Sequence, residues 1–155
     1  MPDTPDLERT LRTAGLRVTR PRVAVLEAVR AQPHLDTRSL ITAARARLGY
    51  VSHQAVYDVL RALVTAGLVR SIEPQGSDAR YEARVGDNHH HVVCRDCGAV
   101  ADVDCATGAA PCLTPSADSD FVIDEAEVLF WGRCPSCAAA RPPAPSPRTA
   151  QEGTT

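Results

Sequence analysis

The sequence predicts an α+β fold, with an N-terminal winged helix-turn-helix followed by a small lobe built around a four-cysteine zinc site. Three observations predict it. Two Cys-x-x-Cys pairs, Cys94/Cys97 and Cys134/Cys137, are separated by the 36 residues from 98 to 133. Two such turns can set four sulfurs around one ion as a tetrahedron. Ahead of them lies a series of helical patterns closed by a short hairpin pattern. Charge divides at the same place: residues 1–86 carry 13 arginines against 9 acids, and residues 87–155 carry 4 against 10. A basic half joined to an acidic, Cys/His-rich half points to one lobe for a polyanion and one for metal. The expected division is 1–85, 86–140 and a tail from 141 to 155.

With 155 residues the chain makes one domain or two small ones, and 44% hydrophobic but only 4% aromatic residues imply a modest aliphatic core. Lobes this small commonly need a staple, which a metal can provide. No apolar run approaches the ~20 residues of a membrane helix. The polar, acidic start does not resemble a secretory signal. A cytoplasmic protein is expected, and there paired cysteines are metal ligands or redox thiols more often than structural disulfides.

Residues 6–14 read as a helix closed by Gly15. Thr19 can cap the next helix, with Pro21 tolerated in its first turn. Val25, Leu26 and Val29 form its apolar stripe, and Pro33 stops it. Thr37 is expected to cap a helix through Leu48, which Gly49 closes. Ser52 caps a fourth over 53–66, ended by Gly67. Its Val56, Val59, Leu60 and Leu63 follow i, i+3, i+4, i+7 and predict one buried face. Gln54, Tyr57, Asp58 and Arg61 lie on the opposite face. Leu68 to Ile72 alternates as a strand, Gln75 to Asp78 turns, and Arg80-Tyr81-Glu82 returns, which completes a wing.

The polar face of the fourth helix is either ordinary solvated surface or a DNA-reading face, and the basic charge with the wing favours double-stranded DNA. Tyr57 and Gln54 are then candidates for base contact. His53 and Arg61 are backbone candidates, Arg20 and Arg22 phosphate candidates at an earlier helix start, and Arg80 a wing candidate.

In the second half, His91-Val92-Val93 and Ala99 to Asp104 read as strands around the first knuckle. Residues 105–119 read as a loop with at most one helical turn, and Val128 to Trp131 as a strand leading into the second knuckle. The Pro/Ser-rich stretch from Arg141 onward has the composition of a disordered tail. Strand alternation puts His89 and His91 on one face and His90 on the other, which suits ligation, although a solvated strand has the same pattern. For the four cysteines the alternative is a pair of redox dithiols. Cys105 and Cys112, seven apart, are either a reversible redox pair or inert small apolar residues.

The order winged helix, HHH, CxxC, then WGRCPSC resembles the ferric uptake regulator family of bacterial metal-responsive repressors, from residue 7 to residue 138. AVYDVLRALVTAGLV, RYEARVGDNHHHVVCRDCG, ADVDC, APCLT and DEAEVLFWGRCPSC look like an actinobacterial branch whose members repress catalase-peroxidase genes and often their own. The resemblance implies a homodimer, with the small C-terminal α/β lobe as dimerisation domain. By that resemblance Cys94, Cys97, Cys134 and Cys137 match the structural zinc ligands. His34, Glu82, His89 and His91 match the regulatory ligands, and Asp102 the acidic ligand of peroxide-sensing members. That site takes His34 and Glu82 from the DNA-binding lobe and the others from the second. Mixed nitrogen and oxygen donors suit a ferrous or manganous ion, whereas four sulfurs suit zinc.

The chain departs from the family in two places. Ala126 stands where members with an additional His/acid site have a histidine, so the resemblance does not assign His90 to such a third site. Asp58 stands where many relatives carry arginine, and its charge repels phosphate. The expected function is therefore a metal-dependent repressor sensing iron and peroxide. Within the same fold the alternative is a sensor of zinc or nickel sufficiency. A thiol oxidoreductase or zinc hydrolase is the alternative from another class. Four sulfurs leave no open position for catalysis, and no activated nucleophile is visible, so no enzyme is expected.

Overall fold

Thr19 and Ser52 start two of the four N-terminal helices by the same device, a hydroxyl that accepts a backbone N–H the helix itself cannot bond. Arg22 N donates to Thr19 Oγ1 at 3.4 Å and Ala55 N to Ser52 Oγ at 3.1 Å. The computed structural model describes residues 4–74, 77–86, 89–104 and 128–140. The helices are α1 (Thr4–Thr13), α2 (Arg20–Ala31), α3 (Thr37–Leu48) and α4 (His53–Thr65). Gly15 and Gly67, with φ of 72° and 66°, turn the chain after α1 and α4 in a region that L side chains avoid.

The cap of α3 corrects the sequence expectation. Asp36, not Thr37, holds that place, and its carboxylate accepts from Ser39 N at 2.7 Å. A carboxylate answers both the bare amides and the positive helix end, so Thr37 is drawn into the first turn. The Ser39 amide, then its hydroxyl, with Arg80 adding charge, hold the Asp36 carboxyl below its ordinary value of 3.8.

Three short strands complete this unit: β1 (Leu35–Asp36), β2 (Arg70–Ile72) and β3 (Arg80–Glu82). They pair antiparallel in the order β1-β3-β2, with Ser71 opposite Tyr81 and Leu35 opposite Tyr81 on its other side. β1 was not expected, because two residues are too few to show alternation. The core joins Leu7 and Leu11 of α1, Val25, Leu26 and Val29 of α2, Leu40, Ile41 and Ala44 of α3, and Val56, Val59, Leu60 and Leu63 of α4. Each fully buried leucine or valine contributes about 1.5–3 kcal/mol. Glu27 is the polar exception on α2, buried and paired with Arg47.

The described residues fall into two units: the one above, running to His89 and including Asp104, and a second made of His90–Val103 and residues 128–140. The second holds β4 (His90–Cys94), β5 (Val100–Val103), β6 (Leu129–Gly132) and α5 (Pro135–Ala140). Its sheet order is β5-β4-β6, antiparallel between β4 and β5 and parallel between β4 and β6. A parallel neighbour needs a long crossover, and residues 104–128 supply the length. Among the described hydrophobic residues of this unit only Val93 and Cys94 are buried. Gln75 and Gly76 of the expected wing turn, the 105–119 loop and the tail lie outside the described residues.

Candidate metal centres

The four-sulfur set lies wholly in the second unit. Cys94 ends β4, Cys97 closes the turn after it, Cys134 precedes α5 and Cys137 sits in its first turn. Their sulfurs all lie within 4.8 Å of one another, and Cys97 Sγ and Cys134 Sγ are 3.7 Å apart. Zinc–sulfur bonds of about 2.3 Å at the tetrahedral angle put sulfurs about 3.8 Å apart, so the set fits that ion. Two independent redox dithiols would not need to gather this way.

Electrostatics agree. The amides of Cys134, Cys97 and Asp96 pull the Cys94 thiol from 9.0 down to about 6, and Cys134 N lies 3.3 Å from its sulfur. Neighbouring thiols, Cys134 first and then Cys97, push Cys137 up to about 12. Four sulfurs so close cannot all ionise alone, and a divalent cation between them removes that obstacle. Two contacts fasten the knuckles to each other. Arg133 Nε meets Asp96 Oδ2 at 3.1 Å, and the Arg95 guanidinium lies 5.3 Å from the centre of the Trp131 ring.

The first unit holds a nitrogen and oxygen set. Glu82, fully buried at the end of β3, places one carboxylate oxygen 3.1 Å from His34 Nε2 and the other 3.1 Å from His89 Nε2. A buried carboxylate must be paired, and each oxygen here accepts from an imidazole N–H. His34 reaches it from the turn before β1 only by adopting φ 64°. Its backbone N–H donates to Tyr81 O at 2.8 Å, while Arg80 Nη1 donates to its carbonyl at 3.4 Å. A left-handed non-glycine residue costs on the order of 1 kcal/mol and is held by its surroundings.

The remaining expected ligands lie in the second unit. His91 and Asp102 are cross-strand partners on β4 and β5, and His91 Nε2 is 3.7 Å from Asp102 Oδ1. His91 is buried, whereas His90 faces the other way and meets Phe130 edge-on. Cys105, Cys112 and Ala126 lie outside the described residues.

On α4, His53, Gln54, Tyr57 and Arg61 are exposed, Tyr57 by 49%. Arg20 is exposed, and Arg22 donates to Arg17 O at 2.7 Å. Arg80 is half-buried against His34, with its guanidinium engaged there. Tyr50, between α3 and α4, is 78% exposed.

Four helices with a short antiparallel sheet in one unit, and a four-cysteine set that fits a zinc ion in the other, define a protein of winged-helix type with a candidate metal centre. The ferric uptake regulator family profile matches residues 13–111. The transcriptional regulator FurA of Mycobacterium bovis is 65% identical over 138 residues, covering 89% of this chain and 94% of that protein. The Vibrio cholerae ferric uptake regulator structure is 26% identical with a TM-score of 0.59, over 82% of this chain and 98% of that one. A zinc uptake regulator complexed with zinc and DNA is similar in fold, with TM-score 0.66 and 21% identity over 90% and 98% of the two chains. The chain belongs to the ferric uptake regulator family, and is a metal-responsive transcriptional regulator rather than an enzyme. No helix among the described residues is long and apolar enough to cross a membrane.

Proposed function

We propose that this regulator is a homodimeric repressor that senses iron and peroxide, and that it controls a catalase-peroxidase gene and its own. Residues 1–85 are the DNA-binding domain and 86–140 the metal-binding dimerisation domain. Cys94, Cys97, Cys134 and Cys137 hold structural zinc. His34, Glu82, His89, His91 and Asp102 hold a ferrous or manganous ion, with Cys105 and Cys112 as a redox pair. His53, Gln54, Tyr57 and Arg61, with Arg20, Arg22 and Arg80, contact operator DNA. The relative named FurA and the DNA-bound zinc uptake regulator support the DNA-binding part.

The observation that carries this reading is Glu82, a fully buried carboxylate flanked by two imidazoles. No cysteine enters that set, which favours iron or manganese over zinc as the signal. When bound, a ferrous ion supplies a centre that peroxide can oxidise. The chain's part is to trade the two imidazole protons facing Glu82 for ligand bonds. His34 is two residues from the Asp36 cap of α3, so its position bears directly on the helices that read DNA. The test is a mobility shift on the gene's own upstream DNA, metal-free, then with ferrous or manganous ion, then with peroxide. Binding that is equal in all three states rejects the reading, and a titration with zinc or nickel separates the alternative signals.

A further inference from the structure

We propose that Asp58 is a positioning residue that biases the orientation of the Gln54 amide, so that α4 reads adenine in preference to guanine at one position of each half-site. The inference rests on the DNA-binding reading above and gives it a specificity.

Gln54 and Asp58 stand one turn apart on the exposed face of α4, on either side of Tyr57. Gln54 Nε2 donates to Asp58 Oδ1 at 2.9 Å. A carboxylate accepts and does not donate, so a flipped amide would set Oε1 against Oδ1, acceptor against acceptor. The pair therefore favours one orientation of the amide. Its second N–H and its Oε1 are left for another partner, in a fixed order.

Gln54 is the second residue of α4, and the first residues of a recognition helix are those that meet base edges. In the major groove adenine offers the N7 acceptor beside the N6 donor, which matches one N–H and one oxygen. Guanine offers two acceptors, N7 and O6, and Oε1 would face O6 with nothing to share. A free glutamine could rotate to compromise; the bond to Asp58 biases it against doing so. The negative charge of Asp58 opposes phosphate whatever the sequence, so its contribution is order at the cost of adhesion.

The test uses the full chain with zinc and manganous ion, selecting from a pool of randomised duplexes, followed by titrations of single-position variants of the selected site. Wild type is expected to select an A·T pair at one symmetric position, with G·C there weakening binding about tenfold. Asp58→Asn keeps size and a hydrogen bond but lets both amides flip. It is expected to cut that preference below about threefold while raising affinity for every duplex, since one negative charge is gone. Gln54→Ala should lose the same preference without the general rise. A wild-type base preference that survives in Asp58→Asn overturns the proposal. So does a uniform loss of binding to all duplexes together with a lower melting temperature, which would mark Asp58 as merely structural. If wild type selects a sequence that neither variant alters, only this proposal fails; if wild type selects none, the DNA-binding reading fails with it.

Discussion

The two donor sets of this protein satisfy themselves in opposite ways. Glu82 with His34 and His89 is complete without metal, because both carboxylate oxygens already accept from imidazoles inside a unit with a continuous apolar core. The four cysteines have no such closure. Their thiols crowd one another, Cys137 is pushed up to about 12, and the described part of the unit around them buries only Val93 and Cys94 among its hydrophobic residues. A set that is satisfied when empty can release its ion and remain folded, whereas a set that stands in for a core cannot. On the function proposed above, this contrast suits the first set to switching and the second to folding.

The largest effect expected from this contrast is zinc removal. Structural zinc contributes about 10–16 kcal/mol in small domains at neutral pH, so chelation should unfold the second unit. Trp131, the chain's single tryptophan, reports that event by its emission, while the far-ultraviolet signal of α1 to α4 should persist. Simultaneous loss of both signals would break the comparison. The reverse experiment is Leu63→Ala in α4, expected to cost about 2–5 kcal/mol in the thermal or denaturant unfolding of the first unit. Zinc content of the folded protein should not change, and its loss would show that the units do not stand separately.

Glu82→Gln sharpens the switching side. It keeps the volume and removes the charge of a ligand, so calorimetric affinity for manganous ion should fall by at least the about 10–100-fold typical of losing an outer-shell partner, with the four-cysteine zinc retained. Unaltered manganese binding would remove Glu82 from the ligand set. Next comes Asp36→Ala, expected to lower first-unit stability by about 1 kcal/mol through loss of the α3 cap. The Asp36 carboxyl is held below 3.8 in the folded state, so its contribution is full above that value and disappears as pH falls through the lowered one. Unfolding curves of wild type and variant should therefore separate at neutral pH and converge in acid. The smallest effect is that of Arg95→Ala, which removes the contact over Trp131, worth about 0.5–1 kcal/mol. It should shift tryptophan emission and speed zinc transfer to a chelator; identical transfer rates would show that the contact does not help hold the knuckles.

By itself, the sequence determined what closes within a few residues. Thr19, Ser52, Gly15 and Gly67 mark helix ends because caps and turns are local, and the stripe Val56, Val59, Leu60 and Leu63 marks a buried face because helical periodicity is local too. The cysteine pairs were legible for the same reason, since each knuckle carries its own spacing. At α3 two adjacent residues could both cap, and only the three-dimensional bond from Ser39 selected Asp36 over Thr37. The tertiary structure alone decided the rest of the first unit's site. Nothing in Arg80-Tyr81-Glu82 distinguishes a buried carboxylate from a solvated one. Glu82 meets His34 at a sequence separation of 48 because β1 pairs with β3 and His34 accepts a left-handed turn. The parallel pairing of β6 with β4 was equally hidden. Long-range closures are chosen by packing over the whole unit, and no short stretch of chain contains that information.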